Sequence, residues 1–268
     1  MIGKYHTSIT NKALGDKLNG YATNYVDKGN TDSDKLRDKI AGISDGYDLS
    51  AQHFNKTSLE NCEKFLKDAQ EVVVDDFIQA ANSNGDDEYY EQAFYDLGRL
   101  VHNIQDFYSH TNWINYNNEE LWNEDVKKPN LEKNQELKTG NYTAFSQYID
   151  KINPFYIYDL SSNYDFYYES DVDMSHYGLN KDEPNTIADR LYEDKYGVSG
   201  FTKAADLARS HTLKKWEDVD AILQEELDED VYENMIDEIS NFNSTQENFD
   251  ENIDKYRENF NSDIKELK

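Results

Sequence analysis

The sequence predicts a mainly α protein folded as one multi-helix domain, and three observations carry that reading. The 268 residues include only 3 prolines and 12 glycines, so the punctuation of a many-stranded chain is missing. Several long windows rich in Leu, Ala, Lys, Glu and Gln place their apolar residues at helical spacing. Hydrophobic residues make up only 37% of the chain, but 12 Phe, 21 Tyr and 3 Trp bury much area per residue, so a core is within reach. The chain is read as a single domain over 1–268.

Taken in order, the first helix is expected over residues 7–19, "TSITNKALGDKLN", where Ile9, Ala13, Leu14 and Leu18 share one face. A second is expected over 32–43, followed by the turn-rich "ISDGYDLSAQHF" of 43–54. "TSLE" at 57–60 has the form of a capping box and opens a long helix to about residue 82. "NSNGDD" breaks it, and "EYYEQAFYDLGRLVHNIQDFYSH" starts the next. Residues 115–175 are polar, aromatic and weakly periodic, an irregular insertion with one helix near 142–152. Helix resumes at about 199, and 228–268 reads as an acidic helical extension whose last helix is introduced by "STQE" at 244–247.

The net charge of −28 repels nucleic-acid phosphates and anionic headgroups at long range, and no basic stripe offsets it. Nucleic acid is therefore disfavoured as a partner. No apolar run reaches the ~20 residues that span a bilayer, so no transmembrane segment is expected. "MIGKYHTSIT" lacks the apolar core of a signal peptide, which leaves a cytoplasmic protein, or a secreted or periplasmic one whose leader has been removed. Cys62 is the only cysteine, which excludes a thiolate metal knuckle.

Any metal must therefore be held by histidine and carboxylate. His102, Asp106 and His110 stand one turn apart on one helix edge, a ladder ~12 Å long that can serve more than one ion. His6 lies near the chain start, His53 follows Asp45 and Asp48 in the turn-rich stretch, and His176 opens "HYGLNKD". Loop histidines and aspartates docked on a helical ladder are a common way to build carboxylate and imidazole sites for Zn²⁺. The fold is accordingly expected to surround a metal cluster.

"EQAFYDLGRLVHNIQDFYSHTNW" resembles the central motif of zinc-dependent phospholipases C, and more closely that of their Het-C-like relatives. The resemblance extends in the same order to "HTSITNKAL", "SDGYDLSAQHF" and "HYGLNKDEP". It implies two or three Zn²⁺ ions, with His102, Asp106 and His110 as ligands, His6 sharing an ion with the amine and carbonyl of Met1, and His53 as a further ligand. It also implies an aspartate before His53 as ligand and general base. Asp45 is the preferred match and Asp48 its competitor. His176 would complete the third site. The family's carboxylate four residues later is absent, because position 180 is Asn, and Asp182 stands in for it. His211 has no counterpart and is read as core or as support for the ligands.

The function implied is hydrolysis of a phosphoric ester, with Asp106 linking two metals and Asp45 acting on the attacking water. The aromatics Phe155, Tyr156, Tyr158, Phe166, Tyr167 and Tyr168 would wall the site. The expected substrate is a zwitterionic phospholipid, reached by transient contact with a membrane surface. A single-strand nuclease of the same architecture and a non-catalytic Het-C-like interaction protein are the alternatives.

Overall fold

One helix organises the molecule: every residue of its stretch from Tyr90 to His110 is buried. The computed structural model describes residues 3–39, 49–54, 59–83, 85–116, 119–122, 137, 139, 181–244 and 246–267. The described helices are α1 (Gly3–Leu14), α2 (Gly20–Lys39), α3 (Leu49–Gln52), α4 (Leu59–Ala81) and α5 (Asp87–His110) in the first half. After them come α6 (Trp113–Tyr116), α7 (Ile187–Tyr196), α8 (Gly200–Glu226), α9 (Glu229–Asn241) and α10 (Gln246–Glu266). Among the described residues there is no strand, only an isolated bridge between Thr111 and Thr139, so the fold is mainly α as its sequence predicts.

α2, α4 and α8 pack around α5, which explains why its sequence is not that of a surface helix. Leu97, Leu100, Val101 and Ile104 feed the common core with Val26, Leu66, Val73, Phe77, Trp216 and Leu223. The polar residues of α5 are equally buried, so each needs a partner from a surrounding helix. Glu91 takes the hydroxyls of Ser244 and Tyr256, and Asn103 donates to the carbonyls of Ala51 and Gln52 at 3.1 and 2.9 Å.

Several boundaries differ from the sequence reading for identifiable reasons. α1 begins at Gly3 and ends at Leu14, after which Lys17 and Leu18 fold their amides back onto the Leu14 carbonyl. Leu18 keeps its buried place without being helical. α2 starts at Gly20 rather than 32, because Asn19 caps it by accepting from the amides of Tyr21 and Ala22, both at 2.9 Å. The same side chain donates to the carbonyls of Ile239, Ser240 and Phe242 at the end of α9. The polar, glycine-bearing run "GYATNYVDKGNTDSD" conceals a helix held by its packing on α5. α7, absent from the sequence reading, is capped by Thr186, which accepts from Asp189. Ser244, the first residue of "STQE", gives its hydroxyl to Glu91 and lies 2.8 Å from the hydroxyl of Tyr25, while the other side chains of the expected capping box lie outside the described part of the structure.

α10 belongs to the common core and is not an appendage. Tyr256, Phe260 and Ile264 are buried in it. Phe260 also lies 4.4 Å from the guanidinium of Arg99. Arg257 grips Asp32 through two bonds of 2.9 Å, a paired geometry that fixes orientation as well as charge. The expected helix near 142–152 and nearly all of the 115–175 insertion, including its aromatic wall, lie outside the described residues.

One buried pair gives the fold a pH signature. Asp76 of α4 and Asp96 of α5 are in side-chain contact, and Gln92 donates to Asp96 at 2.7 Å. Burial pushes Asp76 up to about 6, with Asp263 and Asp75 adding to the effect. Burial and the charge of Asp76 push Asp96 well above the ordinary carboxylate value, against the opposing charge of Arg99. A carboxyl whose folded pKa is raised contributes its stability at low pH and loses it as pH rises through the folded value. Asp76→Asn, whose amide can donate to Asp96, is therefore expected to unfold like the parent near pH 4 but to be more stable by about 2–3 kcal/mol above pH 7. Urea titrations at the two pH values check this, and an equal difference at both would refute the raised titration of this buried pair.

A buried histidine and carboxylate centre

Three helices, a turn and a strap deliver the candidate ligands to one place. α1 supplies His6, α2 Asp34, the turn after α3 His53, and α5 the ladder of His102, Asp106 and His110. The strap entering α7 supplies Asp182. Their ligand atoms form three overlapping groups, His6–Asp34–His102, His53–His102–Asp106 and Asp106–His110–Asp182, and within each group the atoms lie within 4.8 Å of one another. Asp106 and His102 each belong to two groups.

The supporting hydrogen bonds decide what the imidazoles present. Asn30 donates its amide to Thr10 at 2.9 Å and to Gln105 at 3.2 Å, so its oxygen is left to accept from Nδ1 of His102 at 2.9 Å. Gln105 donates to Thr10 and Thr212 at 3.1 and 3.2 Å, and its oxygen accepts from Nδ1 of His6 at 2.7 Å. With the proton on Nδ1, Nε2 carries a lone pair in the neutral form of either ring. Nε2 of His102 lies 3.2 Å from Oδ2 of Asp106, and Nε2 of His6 lies 3.3 Å from its Oδ1. Acceptor faces acceptor, an arrangement that calls for a cation between them. Donation of the remote ring N–H to an oxygen is also how metal-binding histidines are held in orientation.

The rest of the site follows the same pattern. Nδ1 of His53 is 2.8 Å from Oδ2 of Asp106 and 3.0 Å from Nε2 of His102. Nδ1 of His110 donates to the backbone carbonyl of His53 at 2.8 Å, turning its Nε2 to within 2.8 Å of Asp182. Asp34 approaches Nε2 of His6 and His102 at 3.9 and 4.0 Å. Nε2 of His6 and Nε2 of His53 are buried and make no hydrogen bond. In a folded interior such atoms cost about 1–3 kcal/mol each unless something binds them.

The electrostatics favour an unprotonated imidazole beside an ionised acid. Burial drives His102 down to about 4, against the opposing charge of Asp106. Burial would raise Asp106, but the surrounding positive charge, that of the His110 and His102 imidazoles included, outweighs it and holds the carboxyl well below its usual range. His110 is pushed down by burial, yet Asp182 and Asp106 prevail and keep it above the ordinary histidine value. Four imidazoles and three carboxylates, with no thiolate, make a donor set suited to Zn²⁺.

Of the residues expected from the sequence, His6, His53, His102, Asp106, His110 and Asp182 converge. Met1, Asp45, Asp48 and His176 lie outside the described residues. Asp34 was not among the expected ligands. Its signal was available, because Asn30 and Asp34 stand one turn apart on α2 as His102 and Asp106 do on α5. His211 is apart from the cluster. It is buried, shares a 2.9 Å hydrogen bond with the hydroxyl of Tyr108, and so meets α5 two residues from Asp106, on the opposite side of that helix.

The fold and site define a mainly α protein with a buried histidine and carboxylate centre. A family described as the VWA7 N-terminal domain matches residues 23–142, a stretch that takes in Asp34, His53, His102, Asp106 and His110 but not His6 or Asp182. Comparison with curated proteins and with solved structures gave no match.

Proposed function

We propose that this protein is a zinc-dependent phosphoric ester hydrolase of the phospholipase C type, cleaving the headgroup phosphodiester of a zwitterionic phospholipid. The observation that carries the reading is the opposition of the imidazole lone pairs of His6 and His102 to the two oxygens of Asp106. His102, whose single free lone pair is on Nε2, would hold one ion with His6 and Asp34 or with His53 and Asp106, and Asp106, His110 and Asp182 would hold another. Divalent ions so placed bind phosphate oxygens, lower the pKa of water toward ~7 and stabilise charge on the leaving oxygen.

The residues themselves supply order and insulation. Asp106 belongs to two ligand groups, so its carboxylate ties them together. Asn30 and Gln105 hold two rings in a single tautomer, which spares any proton rearrangement when a cation enters. Asp45 remains our candidate for positioning the attacking water. A chain of net charge −28 favours zwitterionic over anionic lipid, since anionic surfaces repel it. No helix among the described residues is long and apolar enough to cross a membrane, which suits a substrate met at the lipid surface.

The test is elemental analysis of the untagged protein, followed by assay on phosphatidylcholine mixed micelles with and without a chelator. Release of phosphocholine and diglyceride, lost on chelation and restored by Zn²⁺, is the expected result. Nucleotides released from single-stranded DNA in place of phosphocholine would move the substrate class to nucleic acid. Bound zinc without turnover of either substrate would make the protein a metal-stabilised interaction module, and absence of bound metal would end the proposal.

A further inference from the structure

Asp182 reaches the centre from a strap distant in sequence from the ladder, and its neighbour Lys181 anchors that strap. The backbone N–H of Lys181 donates to the carbonyl of Ser109 at 3.1 Å. Its ammonium donates to the carbonyl of Thr111, also at 3.1 Å. Ser109 and Thr111 flank His110, so Lys181 grips the chain on both sides of that ligand. The next residue, Asp182, is thereby set against His110, with 2.8 Å between Oδ1 and Nε2.

The choice of lysine needs explaining, because the side chain is only 1% exposed. Burying an ammonium is costly without a hydrogen-bonded or charged partner. A methionine would fill the same slot without that cost. What methionine cannot do is donate to a carbonyl at the end of α5, where the helix leaves its last acceptors without intrahelical partners.

We propose that Lys181 is the positioning residue of the Asp106–His110–Asp182 group, fixing the Asp182 carboxylate as a cation ligand by pinning the strap to the two carbonyls around His110. The inference rests on the metal reading of the site.

The experiment compares the parent protein with Lys181→Met, Lys181→Gln and Asp182→Asn. Each is equilibrated with buffered Zn²⁺, its metal content measured, and its ions titrated away with a competing chelator. Lys181→Met is expected to hold one ion fewer than the parent, or to bind its weakest ion about 10- to 100-fold less tightly, the usual effect of losing an outer partner of a metal ligand. The other ions should be released as in the parent, and Asp182→Asn should show the same selective loss. Lys181→Gln, which keeps a donor but no charge, should fall between. It also decides the matter if the methionine variant does not fold. A lowered melting temperature with unchanged stoichiometry and affinity would overturn the proposal, as would equal weakening of every ion. A parent that binds no zinc would instead refute the metal reading itself.

Discussion

Asp106→Asn is expected to abolish the stabilisation that Zn²⁺ confers and to remove activity with it, weakening metal binding by more than about a hundredfold, the upper end for loss of a mere supporting group. The prediction follows from the position of this carboxylate. Its two oxygens face different sets of imidazoles, His6 at 3.3 Å on one side and His53 and His102 at 2.8 and 3.2 Å on the other. An amide of the same shape keeps one oxygen, loses the charge, and turns an N–H toward lone pairs that should face a cation. A ligand present at about a thousand times its dissociation constant stabilises the folded state by about 4 kcal/mol. For a chain of this size that raises the melting temperature by on the order of 10 °C. The parent should show this rise on adding zinc and the asparagine variant should not. His211→Ala should retain it, because His211 bonds Tyr108 on the far side of α5. The reverse ranking of the two variants would refute the ligand assignment.

How much of this centre could be read from the sequence depends on how each residue reaches it. His102, Asp106 and His110 share one helix edge, so their spacing alone placed them together. His6, His53 and Asp182 come from other segments, and only the order of short motifs hinted that they would converge. Asp34 fell inside the helix expected over 32–43, but with that start its partner Asn30, one turn earlier, lay outside it. Its helix exists because α5 covers it, a tertiary effect that propensity does not encode. Asn30 and Gln105 were invisible for a related reason: a polar residue reads as surface until its burial is known. The long central helix shows the same limit, since both its apolar and its polar faces are enclosed.

Gly98→Ala is expected to be among the most destabilising single-methyl changes in the protein, costing about 3 kcal/mol or more. A Cβ at Gly98 would lie 2.1 Å from the carbonyl oxygen of Val26 and 2.7 Å from the amide nitrogen of Asn30. One at Gly29 would lie 1.9 Å from the carbonyl oxygen of Tyr95. All of these are backbone atoms, so no rotamer change relieves the clash and the helices must separate. Overpacking a core with flexible neighbours already costs about 1–3 kcal/mol, and a rigid neighbour places this site at or above that range. The expected fall in melting temperature is on the order of 10 °C. Gly20→Ala, whose Cβ would meet nothing within 4 Å, should change stability by no more than about 1 kcal/mol. The crossing also sets the site, since α2 carries Asn30 and Asp34 and α5 carries His102. Separating the two helices lengthens the 2.9 Å bond from His102 to Asn30 and withdraws Asp34 from the imidazoles. Metal bound by the His6–Asp34–His102 group should therefore weaken in Gly98→Ala even where the protein remains folded, while the Asp106–His110–Asp182 group, anchored to α5 and its strap, keeps its ion. Melting within 2 °C of the parent would show that the helices can part at little cost, and the tight crossing would then not be what holds α2 to the ligand ladder.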